Sequence, residues 1–252
     1  MNTIRRLTYF LSAFVLGAGA LLAFFHHLGL FEVKGVPVEF VFNDENAQGR
    51  GMTPAEAQLK DRIEASVKPL NGKRIWEIDL DDVRTTLVRD EWVKDILISR
   101  ALPNELRVRV SPKNAVLLLV NKKGEFVPVT DDAELLNPLP LSVIPDVPLL
   151  RGEIFGSDLD RRKAAVEFVG ELDTQGVLSR RNVSEIAWTN EDGFVLTLIH
   201  PKVEVKLGES KVDLKVLRVA QVLNYLSANN LKGRVIDASF SKKVLVRLRK
   251  GP

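Results

Sequence analysis

The hydrophobic pattern begins with a long apolar run, LTYFLSAFVLGAGALLAFF, from Leu7 to Phe25. Its 19 residues carry no charge. As a helix they would measure about 28 Å, close to the ~30 Å hydrocarbon core of a bilayer. A cleaved signal peptide has a shorter apolar core that ends in small residues, whereas here the run continues past Gly17 to Ala20. We therefore predict a retained transmembrane helix over Leu7–Phe25 rather than a cleaved signal.

The charges beside this run predict its orientation. Arg5 and Arg6 precede it, whereas His26 and His27, which are mostly neutral, follow it. Basic residues favour the cytoplasmic end of a spanning helix. We therefore expect residues 1–6 to form a cytoplasmic tail and the remaining residues, about 225 in number, to lie outside the cytoplasm.

The pattern after the helix predicts a first unit with the order strand, helix, helix, strand, strand. Phe31 to Phe42 is rich in Val and Phe and is typical of a strand. Capping residues at Thr53 and Asp79 predict the starts of two helices. Two strands, about Trp92 to Ser99 and Glu105 to Ser111, follow. The first helix has an apolar face at four-residue spacing, formed by Leu59, Ile63 and Val67.

A second unit begins near Ala115, and its pattern predicts strands, a helix, strands, a second helix and a final hairpin. The predicted strands before the hairpin are Ala115–Val120, Phe126–Thr130, Val183–Thr189, Phe194–Ile199 and Lys202–Leu207. The predicted helices are Asp158–Thr174, with Leu159, Val166, Val169 and Leu172 inward, and Lys211–Ala228, with Val212, Val216, Val219, Leu223 and Leu226 inward. The hairpin joins Arg234–Phe240 to Lys243–Arg249. We therefore predict the α+β fold class, with a mostly antiparallel sheet in the second unit.

Composition narrows the classes of function. The chain has 36 basic and 33 acidic residues, and setting aside Arg5 and Arg6 leaves 34 against 33. This balance does not indicate a nucleic-acid partner. The chain has no cysteine, which excludes disulfides, thiolate nucleophiles and thiolate metal ligands.

Four segments occur in an order that resembles the FtsQ/DivIB family of bacterial division proteins. They are WVKDILISRALPNELRVRV (Trp92–Val110), DVPLLRG (Asp146–Gly152), VKLGES (Val205–Ser210) and VIDASF (Val235–Phe240). The predicted strand-helix-helix-strand-strand unit is similar to the POTRA domain of that family. The resemblance implies a tail over 1–6, a transmembrane helix over 7–25, a POTRA domain over 26–112 and a C-terminal β domain over 113–252.

The resemblance implies a non-enzymatic bitopic scaffold that joins FtsB and FtsL outside the cytoplasm. It also implies a location in the inner membrane at the division site, with no cofactor and no small-molecule substrate. In the family, a partner adds a strand to the exposed sheet edge at the C-terminal end. Residues that the family uses as cations near that edge align here with Ser239 and Asp192.

The last predicted strand, Lys243–Arg249, is the candidate edge. An edge strand presents unpaired N–H and C=O groups to an incoming strand. Basic side chains around it would attract an acidic partner, although Lys at an edge also serves to prevent aggregation. The candidate partner-binding residues are Phe240, Lys243, Val244, Leu245, Val246, Arg247 and Leu248.

The sequence offers little evidence for a catalytic site. No zinc-protease, nucleophile-elbow, P-loop or dinucleotide motif occurs. In penicillin-binding enzymes a Ser-x-x-Lys motif opens a helix and precedes a Ser-x-Asn motif. Here the Ser-x-x-Lys at Ser239–Lys242 lies in a predicted hairpin and follows the Ser-x-Asn at Ser227–Asn229. Two alternatives remain open, a POTRA-bearing component of an export or assembly system and a membrane-anchored hydrolase with an unfamiliar site.

Overall fold

The computed structural model describes residues 14–17, 29–42, 51–173, 176–209 and 212–249. Its described residues form two compact units. The first comprises those of Met1–Met52 and Glu56–Pro112, and the second those of Thr53–Ala55 and Lys113–Pro252.

The first unit contains a three-stranded sheet and two helices in the predicted order. The elements are β1 (Val38–Phe40), α1 (Pro54–Val67), α2 (Leu80–Leu87), β2 (Val93–Ala101) and β3 (Glu105–Pro112). β3 lies in the centre, parallel to β1 and antiparallel to β2. The buried residues Leu106, Val108 and Val110 of β3 alternate with exposed arginines, because successive side chains of a strand point to opposite faces.

Local signals determine where the two helices begin. Pro54 occupies the first position of α1, and the predicted apolar face of Leu59, Ile63 and Val67 is buried. At α2, the side chain of Asp79 accepts hydrogen bonds from the N–H groups of Asp81 (2.9 Å) and Asp82 (3.4 Å). Both predicted helix starts are confirmed.

The second unit is an eight-stranded sheet with helices. Its elements are β4 (Ala115–Val120), β5 (Phe126–Thr130), β6 (Leu149–Arg151), α3 (Ile154–Ser157), α4 (Leu159–Glu171), β7 (Val183–Thr189), β8 (Gly193–Leu198), β9 (Glu204–Gly208), α5 (Val212–Ala228), β10 (Gly233–Asp237) and β11 (Leu245–Leu248). The strand order is β11-β10-β9-β8-β7-β6-β4-β5. Four of the seven neighbouring pairs are antiparallel, so the sheet is mixed with an antiparallel majority.

The main core of the second unit lies where α4 and α5 meet the sheet. The strands contribute alternate residues to it, because only one face of a strand can point toward the helices. The buried members include Leu117, Val129, Leu150, Ile186, Leu196, Val205, Leu207 and Ile236 from the strands, Phe168 and Val169 from α4, and Val219 and Leu223 from α5.

The structure corrects several predicted elements. The strand predicted over Phe31–Phe42 is reduced to β1, because its first part forms only isolated bridges to Arg74 and Glu105. The helix predicted to reach Thr174 ends at Glu171, and Leu159 at its start is 45% exposed. Of the other residues predicted to point inward, Val169 and Leu172 are buried and Val166 is partly buried, and Arg162, Ala165 and Phe168 complete the buried side of the helix.

Two short elements, β6 and α3, are absent from the predicted pattern. β6 has three residues and pairs in parallel with both β4 and β7. Its sequence is too short to show a period, so only its neighbours identify it as a strand.

The predicted transmembrane helix Leu7–Phe25 lies outside the described residues, except for Phe14–Gly17, which are helical. In the part of the chain that the structure describes, no helix has the length and apolar character needed to cross a membrane.

Candidate functional site

The strand β11 forms one edge of the eight-stranded sheet. It pairs antiparallel with β10 and has no strand on its other side among the described residues. The predicted hairpin is therefore confirmed, but its second strand is shorter than Lys243–Arg249. Lys243 and Val244 lie in the loop that precedes the strand.

The backbone of β11 directs part of its hydrogen-bonding capacity away from the sheet. The N–H of Arg249 donates to the carbonyl of Lys232 (2.8 Å), so it points toward the β10 side. Because N–H and C=O groups alternate in direction along a strand, those of Val246 and Leu248 point away from β10. These two residues provide two donors and two acceptors for an added strand.

The opposite edge of the sheet, β5, is covered by its own chain. The segment after β5 folds back, and its residues Leu136 and Leu139 donate to the carbonyls of Pro128 (3.0 Å) and Phe126 (2.9 Å). Pro128 also lacks an N–H group. Of the two edges of this sheet, β11 is the open one in the described part of the chain.

The candidate side chains of the edge differ in their exposure. Val244 and Val246 pack against the main core and are partly buried. Leu245 and Leu248 are 45% and 49% exposed. The edge therefore combines valines that hold it in place with apolar surface that an incoming strand could cover.

Phe240 lies in the loop before β11 and is 41% exposed. The ammonium group of Lys243 lies 5.0 Å from the centre of its ring, in a cation–π contact. Arg218 of α5 donates to the carbonyl of Ser241 (2.7 Å), which ties the loop to the helix. The structure thus places Phe240 in the loop that leads into the edge strand, and this loop is tied to α5.

Basic residues surround the edge. Lys242, Lys243, Arg247 and Arg249 are exposed, and none of them forms an ion pair with another described residue. Arg249 donates to the carbonyl of Lys202 (2.6 Å) and Lys243 lies over the Phe240 ring, but no described carboxylate neutralises these charges. Like charges at an edge also disfavour its pairing with a second copy.

Asp192 and Ser239, which the resemblance predicts at positions of family cations, both have partners within the chain. Asp192 accepts a hydrogen bond from Lys206 (2.7 Å), and this bond raises the pKa of Lys206 against the opposing effect of burial. The hydroxyl of Ser239 donates to Asp237 (2.6 Å).

Lys215 brings together the segments VKLGES and VIDASF. Its ammonium group is buried and donates to the carbonyl of Leu207 (2.7 Å). A Cβ on Gly208 would lie 3.1 Å from that ammonium nitrogen and 3.4 Å from the Cβ of Ser239. Burial lowers the pKa of Lys215, as does Arg218, while Asp237 opposes this effect. These contacts join β9, α5 and the segment after β10.

The residues considered for catalysis do not form a catalytic arrangement. Ser239 and Lys242 lie in the loop between β10 and β11, not at the start of a helix. His200 lies in the turn before β9, where its backbone N–H donates to the side-chain oxygen of Asn182 (2.7 Å). Within the described residues, no group of three or more His, Cys, Asp or Glu side chains could hold a metal ion.

Two family models match the chain. One, described as "Cell division protein FtsQ/DivIB, C-terminal", matches residues 117–239, and the other, "POTRA domain, FtsQ-type", matches residues 58–111. The first match ends at Ser239, so Phe240 and β11 lie beyond it.

Curated proteins of the same kind are similar to most of the chain. It is 26% identical over 190 residues to "Cell division protein FtsQ" of Geobacter sp. (strain M21), which covers 73% of the chain and 68% of that protein. It is 24% identical over 188 residues to the protein of the same name from Syntrophotalea carbinolica, covering 71% and 66%. It is 26% identical over 118 residues to "Cell division protein DivIB" of Staphylococcus aureus, covering 47% and 25%.

Proposed function

Because the chain belongs to the FtsQ/DivIB family of cell division proteins, we propose that it is a bitopic scaffold that binds other division proteins at the open edge β11. The family is one of non-enzymatic division scaffolds, and the chain is accordingly not an enzyme. Its contribution to septum assembly then comes from holding partners in place.

The observation that carries this proposal is the difference between the two edges of the eight-stranded sheet. The β5 edge is covered by residues 134–139 of the same chain, whereas β11 has main-chain groups that point away from the sheet. An extended partner segment would gain main-chain hydrogen bonds there, and Phe240, Leu245 and Leu248 would determine which side chains fit.

The charges around the edge favour an acidic partner segment. Lys242, Lys243, Arg247 and Arg249 would attract it and orient it along the strand. The partners that fit the family role are bitopic division proteins of the FtsB and FtsL type. Neither nucleic acid nor a small-molecule substrate has a place in this proposal.

The anchor of the scaffold is the apolar run Leu7–Phe25. It carries no charge, is long enough to span, and follows Arg5 and Arg6. In this proposal the N-terminus is cytoplasmic and both units lie on the outer side of the inner membrane. The POTRA domain ends at residue 112, and the C-terminal β domain begins at residue 113.

The experiment that tests the edge is a substitution of Val246 by proline. Val246→Pro removes an N–H that points away from β10, so the hairpin keeps its own hydrogen bonds while the partner loses a donor. We expect the affinity for the partner to fall roughly tenfold or more. The measurement is co-purification from native membranes with the full chain as bait, followed by titration of the captured partner.

Val246→Thr is the matched control, because it keeps both the N–H group and the β-branched shape. Circular dichroism and the unfolding temperature establish that both variants fold. Full partner affinity in a folded Val246→Pro variant would exclude β11 as the binding edge. Paired replacement of Phe240 and Leu248 by glutamate tests the side chains separately and should also abolish capture.

A further inference from the structure

Three segments of the first unit meet at the end where the chain enters it. We call this surface the entry pole and define it by Phe31, Lys34, Lys73, Trp76 and Leu102. The N–H of Ile75 donates to the carbonyl of Phe31 (2.9 Å), which joins the first segment to the second. The N–H of Lys34 donates to the carbonyl of Asn104 (2.9 Å), which joins the first segment to the β2–β3 turn.

The entry pole presents large apolar side chains to the outside. Trp76 is 51% exposed, and Leu102 at the tip of the β2–β3 turn is 72% exposed. Phe31 is half-buried, and its ring centre lies 4.9 Å from that of Trp76. Their neighbours Val33 and Ile75 are buried in the core and Phe31 packs against it, whereas Trp76 and Leu102 remain exposed.

The composition of the entry pole matches the interface of a bilayer. Tryptophan is enriched at the headgroup level, where one part of its ring is apolar and the N–H can remain hydrated. Lys34 and Lys73 are exposed beside the aromatic pair, where their ammonium groups could reach lipid phosphates. The acidic neighbour Glu77 is paired with Arg74 (3.2 Å).

The length of chain between the predicted span and the entry pole limits how far the pole can lie from the membrane. Six residue steps separate Phe25 from Phe31, which at full extension reach at most about 21 Å. A turn shortens this further, since the N–H of Glu32 donates to the carbonyl of Gly29 (3.1 Å). The headgroup layer itself is about 5–8 Å thick on each side. The tether therefore limits the Phe31–Trp76 pair to within about 21 Å of the predicted end of the span, a range that includes the headgroup layer.

We propose that the entry pole rests on the outer surface of the bilayer, with the indole of Trp76 at the headgroup level and Leu102 beside it. This contact orients the first unit relative to the membrane. The inference rests on the proposed anchoring by Leu7–Phe25, and its occupant is a lipid surface rather than a protein.

The test uses the full chain in lipid nanodiscs that are enclosed by a tryptophan-free scaffold protein and whose acyl chains are either brominated or unmodified. Bromine quenches tryptophan emission at short range. The chain has three tryptophans, and Trp92 is buried while the indole nitrogen of Trp188 is also buried. We expect brominated lipid to reduce the emission of the wild-type chain, and we expect Trp76→Phe to remove that reduction.

Equal emission of the wild-type chain in the two lipids would overturn the proposal, as would quenching that persists in Trp76→Phe. Leu102→Asp should lessen the quenching of Trp76, whereas Leu141→Asp, at a position of the second unit that is 77% exposed, should not. The nanodiscs hold this chain and no partner protein, so quenching in them identifies lipid as the occupant.

Gel filtration of the nanodiscs distinguishes a failure of the anchor Leu7–Phe25 from a failure of the lipid contact at the entry pole. If the chain does not elute with the nanodiscs, both the anchor and the lipid contact of the entry pole are excluded. A chain that elutes with them but is not quenched would exclude the contact alone.

Discussion

At the residue scale, two buried cations join elements of the second unit. Arg162 of α4 donates from Nε to the carbonyl of Ala133 (2.7 Å) and from a terminal nitrogen to that of Phe155 (2.7 Å). Burial lowers its pKa, while Asp158 opposes this effect. Lys215 similarly binds the carbonyl of Leu207. Both cations satisfy carbonyl groups at places where regular secondary structure ends.

Glycine at 193 is required by the close approach of another strand. Gly193 has φ +64°, and a Cβ there would clash with Gly208, whose oxygen would lie only 2.7 Å away. Gly124 has φ +78°, but a Cβ added there would have no neighbouring heavy atom within 4 Å. Both positions therefore require a positive φ, but only Gly124 has room for a Cβ atom.

We predict that Gly193→Ala is much more destabilising than Gly124→Ala. The second variant should lose about 1–2 kcal/mol of unfolding free energy, the cost of a left-handed conformation for an L-residue. The first should lose roughly 3 kcal/mol or more, because overpacking against backbone adds to that cost. Urea unfolding of both variants measures the difference, and equal losses would show that the approach of β9 is not the constraint.

At the element scale, helix caps, strand alternation and the apolar face of α1 could be read directly from the sequence, whereas the buried side of α4 could be read only in part. Asp79 caps α2 and Asp158 caps α4, the latter by accepting from the N–H of Arg161 (3.0 Å). The apolar Leu159 is exposed, while the charged Arg162 is buried. The apolar periodicity of α4 assigned Leu159 to the core. It could not indicate that Arg162 is buried, because the carbonyl groups that Arg162 binds come from other segments of the chain.

We predict that Asp79→Ala lowers the unfolding free energy by about 1 kcal/mol, since two N–H groups at the start of α2 lose their acceptor. Asp79→Asn should retain most of this stability, because asparagine is also a good capping residue. Thermal unfolding of the two variants gives the comparison. A loss in the asparagine variant as large as in the alanine variant would indicate that charge, rather than capping, is responsible.

At the scale of the whole molecule, the proposed scaffold has three parts with different roles. The apolar run would anchor it, the first unit would rest on the membrane, and the edge of the second unit would receive a partner. The described part of the chain contains two exposed surfaces suited to the last two roles, one in each unit.

We predict that a fluorescently tagged full chain collects at mid-cell during division. Replacing β11 residues Val246 and Leu248 by proline and glutamate should leave the chain in the membrane, because the anchor is intact, and should reduce division efficiency. Fluorescence microscopy with a growth assay measures both. A uniform or polar envelope signal of the unmodified chain would instead favour a component of export or assembly.

The sequence by itself determined the order of elements, the helix starts, the final hairpin and the resemblance to a family, because caps, turns and two-residue alternation are local properties. The tertiary structure decided the rest. The strand β6, the buried Arg162 and the covering of β5 by residues 134–139 all depend on segments that are distant in sequence or lack a period. Whether β11 is an open edge is a property of what lies beside it, and neighbours in space cannot be read from a single strand.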